Sequence, residues 1–334
     1  MKKTYYLFNP GRLSRKDNTL KFTPVDEDGT EGQSRYLPVE NVNDLYVFGS
    51  LDANSALYNF LGKESIAVHF FDYYEHYSGS FMPKDYLLAG KMQIEQTKLY
   101  LNKKKRLELA RLLIEGAAAN MLKNLQYYQR RGRNLEEYIK QIERLREEIQ
   151  IQDNISALMG IEGNIRVAYY AAFDFIINDF EMGNRTKQPP LNEVNTLISF
   201  GNMMCYTTCL GQIYHTQLNP TISFLHEPGF RRYSLALDIA EIFKPLLVDR
   251  VIFSLLNKKQ IKENDFRLEL NRCVLKDTGR KTFVKAYEEK LVETIQHRVL
   301  GKSVSYKHLI KLECYKISKH ILEIEPYKPF KAWW

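Results

Sequence analysis

Long apolar runs are the first thing this sequence lacks. Its most apolar late stretch, PLLVDRVIFSLL, is cut by Asp249 and Arg250, whereas a bilayer span needs about 20 consecutive apolar residues. The opening MKKTYYLFNPGR carries two lysines but no apolar run of the length a secretory signal needs. Cysteine is scarce, four in 334 residues. That excludes a disulfide scaffold and, with no export signal, predicts reduced thiols. Tryptophan occurs only at the last two positions, Trp333 and Trp334. There is no repeat of fixed period and no low-complexity tract. A soluble cytoplasmic protein with no membrane association is the expectation.

What is present suffices for a core: 44% of the 334 residues are apolar, enough for one large domain or two ordinary ones. Charge is unevenly spread. Residues 1–90 hold nine basic and twelve acidic side chains, a net of −3, while residues 91–334 carry a net of +11. A basic body suggests a polyanion partner, because Lys and Arg that neutralise phosphates release counterions.

Residues 1–85 read as β structure. Tyr5 to Phe8 is a short apolar run closed by Asn9-Pro10-Gly11, and Thr19 to Thr23 alternates as a half-buried strand does. Asp26 to Gly32 suits a hairpin tip; Tyr36–Val39, Leu45–Gly49 and Ile66–Phe71 are further strands, and Leu51–Leu61 has helical spacing. The aromatic segment Tyr73–Phe81, broken by Ser78-Gly79-Ser80 and Pro83, is read as the linker. Residues 86–334 then turn helical. Ala89–Gln129 is one helix or two with Gly116 as the weak point, and an amphipathic helix covers Leu135–Ile149. Later helices are expected before Tyr214, over Thr282–Leu300 and over Tyr306–Leu322, with Phe266–Leu270 a short strand and Asp277–Arg280 a turn. The fold class is α+β: a small β-rich N-terminal domain, then a larger all-α domain.

Candidate chemistry centres on Ile222–Leu256. His226 sits in a turn before Pro228 and Gly229, Ser234 is a plausible helix N-cap, and Asp238 and Glu241 lie three apart on one side of that helix. One imidazole with carboxylate oxygens suits Mg²⁺ or Mn²⁺ better than a structural zinc. The same residues equally suit a satisfied turn histidine and two acids on a solvated face. Glu162 stands in an apolar helical stretch between Gly160 and Gly163, so it is either exposed in a first turn or paired. The two glycines would let a backbone or ligand come close. Cys205, Cys209 and His215 amount to half a metal site; with no second cysteine pair nearby, buried helical cysteines are the expected account. The Trp-terminated tail suits either docking or folding back on the helical domain.

Four blocks, LMGIEGNIRVAYYAAF, NRTKQPPLNEVNTLISFGNMMCY, FLHEPGFRRYSLALDIAEIFKPLLVDR and GRKTFVKAYEEKL, resemble in order and spacing the signatures of the CRISPR-associated integrase of spacer acquisition, the Cas-one family. The resemblance extends over the β-rich head. It implies a β-rich dimerisation domain (1–85), giving a homodimer, and an α-helical metal-dependent catalytic domain (86–334). It also implies a small Cas-two partner protein and, as substrates, double-stranded DNA fragments and the CRISPR repeat. The family's metal site falls on Glu162, His226 and Glu241, with Asp238 as a supporting or alternative ligand. Joining a DNA 3′-hydroxyl to a phosphodiester draws its nucleophile from the substrate, which agrees with the lack of an evident Ser-His-Asp or Cys-His arrangement. Arg185, Arg231, Arg232 and Lys244 are candidate phosphate contacts. Two rivals stand beside this reading: a non-enzymatic basic nucleic-acid-binding protein, and a metal-dependent repair nuclease that does not integrate.

Overall fold

A computed structural model describes residues 2–26, 28–83, 89–229 and 233–333. The chain divides into two compact units, Met1–Tyr86 and Leu87–Trp334.

The first unit is built on two four-stranded sheets. Strands β1 (Lys3–Leu7), β5 (Val42–Val47) and β7 (Ala67–Phe71) run parallel, and β8 (Tyr77–Phe81) closes that sheet antiparallel to β7. The second sheet has the order β4 (Arg35–Pro38), β3 (Thr19–Pro24), β2 (Gly11–Lys16), β6 (Leu51–Asp52). Alternation in β3 buries Leu20 and Phe22, which join Leu13, Val42, Leu45 and Val68 in one core. Helix α1 (Ser55–Lys63) adds Leu57, Phe60 and Leu61 to it.

The helix expected from Leu51 starts at Ser55, because Leu51 and Asp52 pair with Gly11 and Arg12, and the Asn54 side chain accepts the Leu57 N–H at 3.0 Å as an N-cap. The Ser78-Gly79-Ser80 segment, read as linker, is strand β8: His69 and Phe70 face Ser80 and Gly79 across the ladder. Ladder hydrogen bonds to β7 override the low strand propensity of Gly and Ser.

The second unit is mostly helical. Helices α2 (Gly90–Leu101) and α3 (Lys103–Gln129) are followed by α4 (Glu136–Glu148), α5 (Ile155–Ala171), α6 (Glu193–Tyr214), α7 (Ser234–Lys244) and α8 (Arg250–Asn257). A short hairpin, β9 (Phe266–Glu269) and β10 (Arg272–Leu275), precedes α9 (Asp277–Val292). A second one, β11 (Thr294–Gln296) and β12 (Ser303–Ser305), leads to α10 (Tyr306–Ile321). Helix α6 is apolar nearly all round, and it is accordingly a core helix, packed against α7 and α10. Long α3 packs against α2, α4, α5 and α7. Among the described residues no helix is long and apolar enough to cross a membrane.

The break in the first long helical stretch falls at Asn102, whose side chain accepts the Lys105 N–H at 3.1 Å, and not at Gly116. Gly116 is buried in mid-helix, and a Cβ there would stand 2.7 Å from Pro329 Cβ. The glycine therefore admits the C-terminal tail, which lies back on this unit. Phe330 stacks on Phe243 of α7, and Asn120 of α3 donates to the Phe330 carbonyl at 3.1 Å and accepts the Ala332 N–H at 2.8 Å. Trp333 packs on Phe330, and Trp334 lies outside the described residues. The Asp277–Arg280 segment, expected as a turn, is the first turn of α9, started by an acid that suits the helix dipole. Ser234 does not cap α7; its hydroxyl donates to the Thr221 carbonyl at 2.8 Å.

Candidate active site

His226 lies in a loop held rigidly from several sides. Gln96 of α2 donates to the Asn219 and Ile222 carbonyls at 3.0 and 2.7 Å and accepts the Asn219 N–H at 2.9 Å. Arg106 of α3 donates to the Phe224 carbonyl at 2.9 Å and pairs with Glu227 at 2.6 Å. The strongest hold comes from Asp238, fully buried on α7. Its Oδ2 accepts the N–H groups of Phe224 and Leu225 at 2.7 and 3.0 Å. Its Oδ1 accepts the N–H of His226 at 2.9 Å and faces His226 Nδ1 at 2.8 Å. With Nδ1 donating to the carboxylate, the imidazole keeps its lone pair on Nε2. Both Asp238 oxygens are thereby engaged by N–H groups of the loop that carries His226.

One turn along α7, Glu241 turns to other partners. Its side chain is 6% exposed and meets two cations, Lys244 at 2.7 Å and the guanidinium of Arg166. Arg166, on α5, also pairs with Glu162 one turn before it, so a single guanidinium bridges Glu162 and Glu241. Glu162 is thus paired within a largely buried site, 14% exposed, and is not an exposed first-turn acid. A Cβ on Gly160 or Gly163 would meet no described atom within 4 Å, so the surface of α5 beside Glu162 is open.

Behind the glutamates lies a buried polar group that sequence reasoning missed. Pro245–Asp249 is a stretch of π-helix between α7 and α8, and it brings Asp249 against α5, where Tyr169 donates to Asp249 Oδ2 at 3.0 Å. Asn124 of α3 donates to Tyr169 at 2.8 Å and to the Pro245 carbonyl at 2.6 Å, and it accepts from Arg250 at 2.7 Å. Asp249 Oδ1 is buried and has no hydrogen-bond partner among the described residues. Burial pushes the Asp249 carboxyl up to about 7, against the pull of Tyr169, Arg166 and Lys244. Burial likewise lowers the Lys244 ammonium to about 8, helped by the charge of Arg166. Arg166 is desolvated too, and this is the largest single influence on it, but the charges of Glu162, Tyr170 and Asp249 and the hydrogen bond to Glu162 together raise its pKa. The signals for these groups were present: an Arg four residues after Glu162 in an apolar helix, and an Asp interrupting an apolar run.

The other candidates fare differently. Arg185 turns inward, donating to Asn195 and Ser199 at 3.0 Å each, and so clamps its loop to α6. Lys187 on the same loop is exposed, with Arg166, Arg185 and Glu162 near enough for their charges to act on it. Arg231 and Arg232 lie outside the described residues. Cys205 and Cys209 are free and buried, as are Cys273 and Cys314.

Two carboxylates and an imidazole with a fixed tautomer are a suitable donor set for Mg²⁺ or Mn²⁺. The two glutamates already converge on one cationic group. In this arrangement, however, no three His, Cys, Asp or Glu side chains among the described residues are grouped to hold an ion.

The family model described as CRISPR associated protein Cas1 matches residues 5–289. A CRISPR-associated endonuclease Cas1 of Fusobacterium nucleatum subsp. nucleatum is 46% identical over 100% of this chain and 98% of its own. The solved structure of a CAS1 protein from Thermotoga maritima, 39% identical, superposes with a TM-score of 0.86, covering 99% of this chain and 100% of that one. A casposase bound to integration product has the same fold, with a TM-score of 0.86 at 20% identity over 99% of this chain and 94% of that one. The chain is therefore a CRISPR-associated protein, of the class that pairs a β-sheet unit with a mostly helical one. Within that class it belongs to the Cas1 family.

Proposed function

We propose that this chain is a metal-dependent DNA integrase and endonuclease of CRISPR adaptation, joining 3′-hydroxyl ends of short DNA fragments to the repeat. The observation that carries this is the convergence of Glu162 from α5 and Glu241 from α7 on one cation, while Asp238, one turn before Glu241, holds His226 by Nδ1 and so leaves the lone pair on Nε2. Family membership and the endonuclease named among the relatives support the class of reaction. The casposase with its integration product shares the fold.

Glu162 and Glu241 would hold Mg²⁺ or Mn²⁺ through oxygen and His226 through Nε2, and the bound ion would supply positive charge where the phosphoryl group and the attacking oxygen meet. The chain's own part is to place the strand. Open space at Gly160 and Gly163 lets a backbone reach Glu162, and exposed Lys187 stands ready for a phosphate. Lys244, 13% exposed, pairs with Glu241 at 2.7 Å and orients it. Two strand transfers are needed to insert one fragment, so a homodimer with two such sites suits the task. A small Cas-two protein as spacer, and a cytoplasmic setting, complete the proposal.

The test uses Glu162→Ala, His226→Ala and Glu241→Ala with a short duplex and a supercoiled plasmid bearing a repeat. Loss of strand transfer and cleavage with DNA binding retained is the expected result. Catalysis surviving in all three variants would remove the metal reading. Degradation without joining by the wild-type protein would leave a nuclease that does not integrate.

A further inference from the structure

The glutamates of the proposed site are already occupied, and by a side chain. Arg166 reaches Glu162 from one turn away on α5 and Glu241 across on α7, so its guanidinium fills the gap between a buried carboxylate and a largely buried one. Left without it, these carboxylates would repel each other in a poorly solvated place, a costly arrangement. The charges balance as they stand: two glutamates face Arg166 and Lys244. A divalent cation entering beside both would leave two positive charges in excess, so a resident cation has to leave. Lys244, on the same helix as Glu241, pairs with Glu241 itself. Arg166 has another place to go. Tyr169 lies one turn beyond it on α5, on the same side of the helix, and donates to Asp249. The second oxygen of that carboxylate is buried without a hydrogen-bond partner among the described residues.

We propose that Arg166 is a positioning residue that stands in for the metal. It holds Glu162 and Glu241 together while the site is without a divalent cation, and it moves to the unpartnered oxygen of Asp249 when one binds. This rests on the metal reading of the site but concerns a residue outside the donor set. It gives a physical reason why no three metal donors are grouped among the described residues: the place between the glutamates is taken. It also accounts for an Asp buried at 2% exposure with an idle oxygen, which would otherwise be a defect.

The test is Mn²⁺ binding to the full chain by calorimetry, with thermal melting of the metal-free protein, in Arg166→Ala, Asp249→Asn and the double variant. Arg166→Ala is expected to melt lower without metal yet bind Mn²⁺ about tenfold more tightly, because nothing must be displaced. Millimolar ethylguanidinium should raise the melting temperature of that variant and compete with Mn²⁺ in it. Asp249→Asn is expected to weaken Mn²⁺ binding about tenfold in the wild-type background and to have no effect in the Arg166→Ala background. Should Arg166→Ala fail to fold, Arg166→Lys replaces it; a shorter, unforked cation should bind Mn²⁺ several-fold more tightly than wild type. Equal or weaker Mn²⁺ binding after Arg166 is changed overturns the proposal. So does an Asp249→Asn effect of the same size in both backgrounds. A wild-type chain that binds no Mn²⁺ would remove the metal reading and this proposal together, whereas binding indifferent to Arg166 removes this one alone.

Discussion

Replacing Asp238 by Asn changes little in shape and much in hydrogen bonding. The carboxylate accepts four N–H groups, at 2.7, 3.0, 2.9 and 2.8 Å, two on each oxygen. An amide keeps one accepting oxygen and turns two donor hydrogens on the other pair of N–H groups. Two charge-assisted bonds are lost in a fully buried place, each worth about 1.5–3 kcal/mol. The second unit should therefore lose about 3–6 kcal/mol and melt about 10 °C lower. The chemistry should suffer separately. Without a carboxylate at Nδ1 the imidazole is no longer held with its lone pair on Nε2, and loss of such a support costs about 10–100-fold in metal affinity. Scanning calorimetry measures the first effect, and Mn²⁺ titration of the folded variant at low temperature the second. A variant melting within about 2 °C of wild type with wild-type Mn²⁺ affinity would refute the reasoning. Lost stability with unchanged affinity would keep the loop anchor and remove His226 from the donor set.

Gly116→Ala should destabilise the protein by about 1–2 kcal/mol despite the better helix former, since its Cβ would meet Pro329 at 2.7 Å; thermal melting checks this. Asn120→Ala strands the Ile242 and Phe330 carbonyls and the Ala332 N–H. It should cost about 3 kcal/mol and release the tail, seen as faster hydrogen exchange at Ala332. Asp249 keeps its proton to about pH 7 in the fold and loses it near pH 4 when unfolded. Between these values only the folded state holds the proton, so stability falls as pH rises from about 4 to 7, by up to about 4 kcal/mol. Asp249→Asn should flatten that slope in denaturant titrations at several pH values; an unchanged slope would place the titration elsewhere.

Much of the helical part of the fold is local and can be read from the chain. Asn154 and Asn192 cap α5 and α6 with side-chain hydrogen bonds of 2.8 Å, ahead of long apolar segments. Where the sequence misleads, the deciding contact is remote. Gly116 looks like a helix break, but it is there for Pro329, more than two hundred positions on. Ser78-Gly79-Ser80 looks like a linker, but its backbone pairs with β7.

The donor types of the candidate site were legible in the sequence, because an imidazole before a helix with two acids and a lone Glu in an apolar helix are local patterns. Which acid does what was not legible. Asp238 and Glu241 sit one turn apart on α7, yet the first turns to the loop that carries His226 and the second to Arg166 from α5. That division depends on which N–H groups and cations the packed helices bring to each carboxylate, and spacing along one helix carries no such information. Arg166 and Asp249 are the clearest case: each is an unremarkable charge in its own segment, and only the packing of α5 on the π-helical turn after α7 makes them part of one buried polar group.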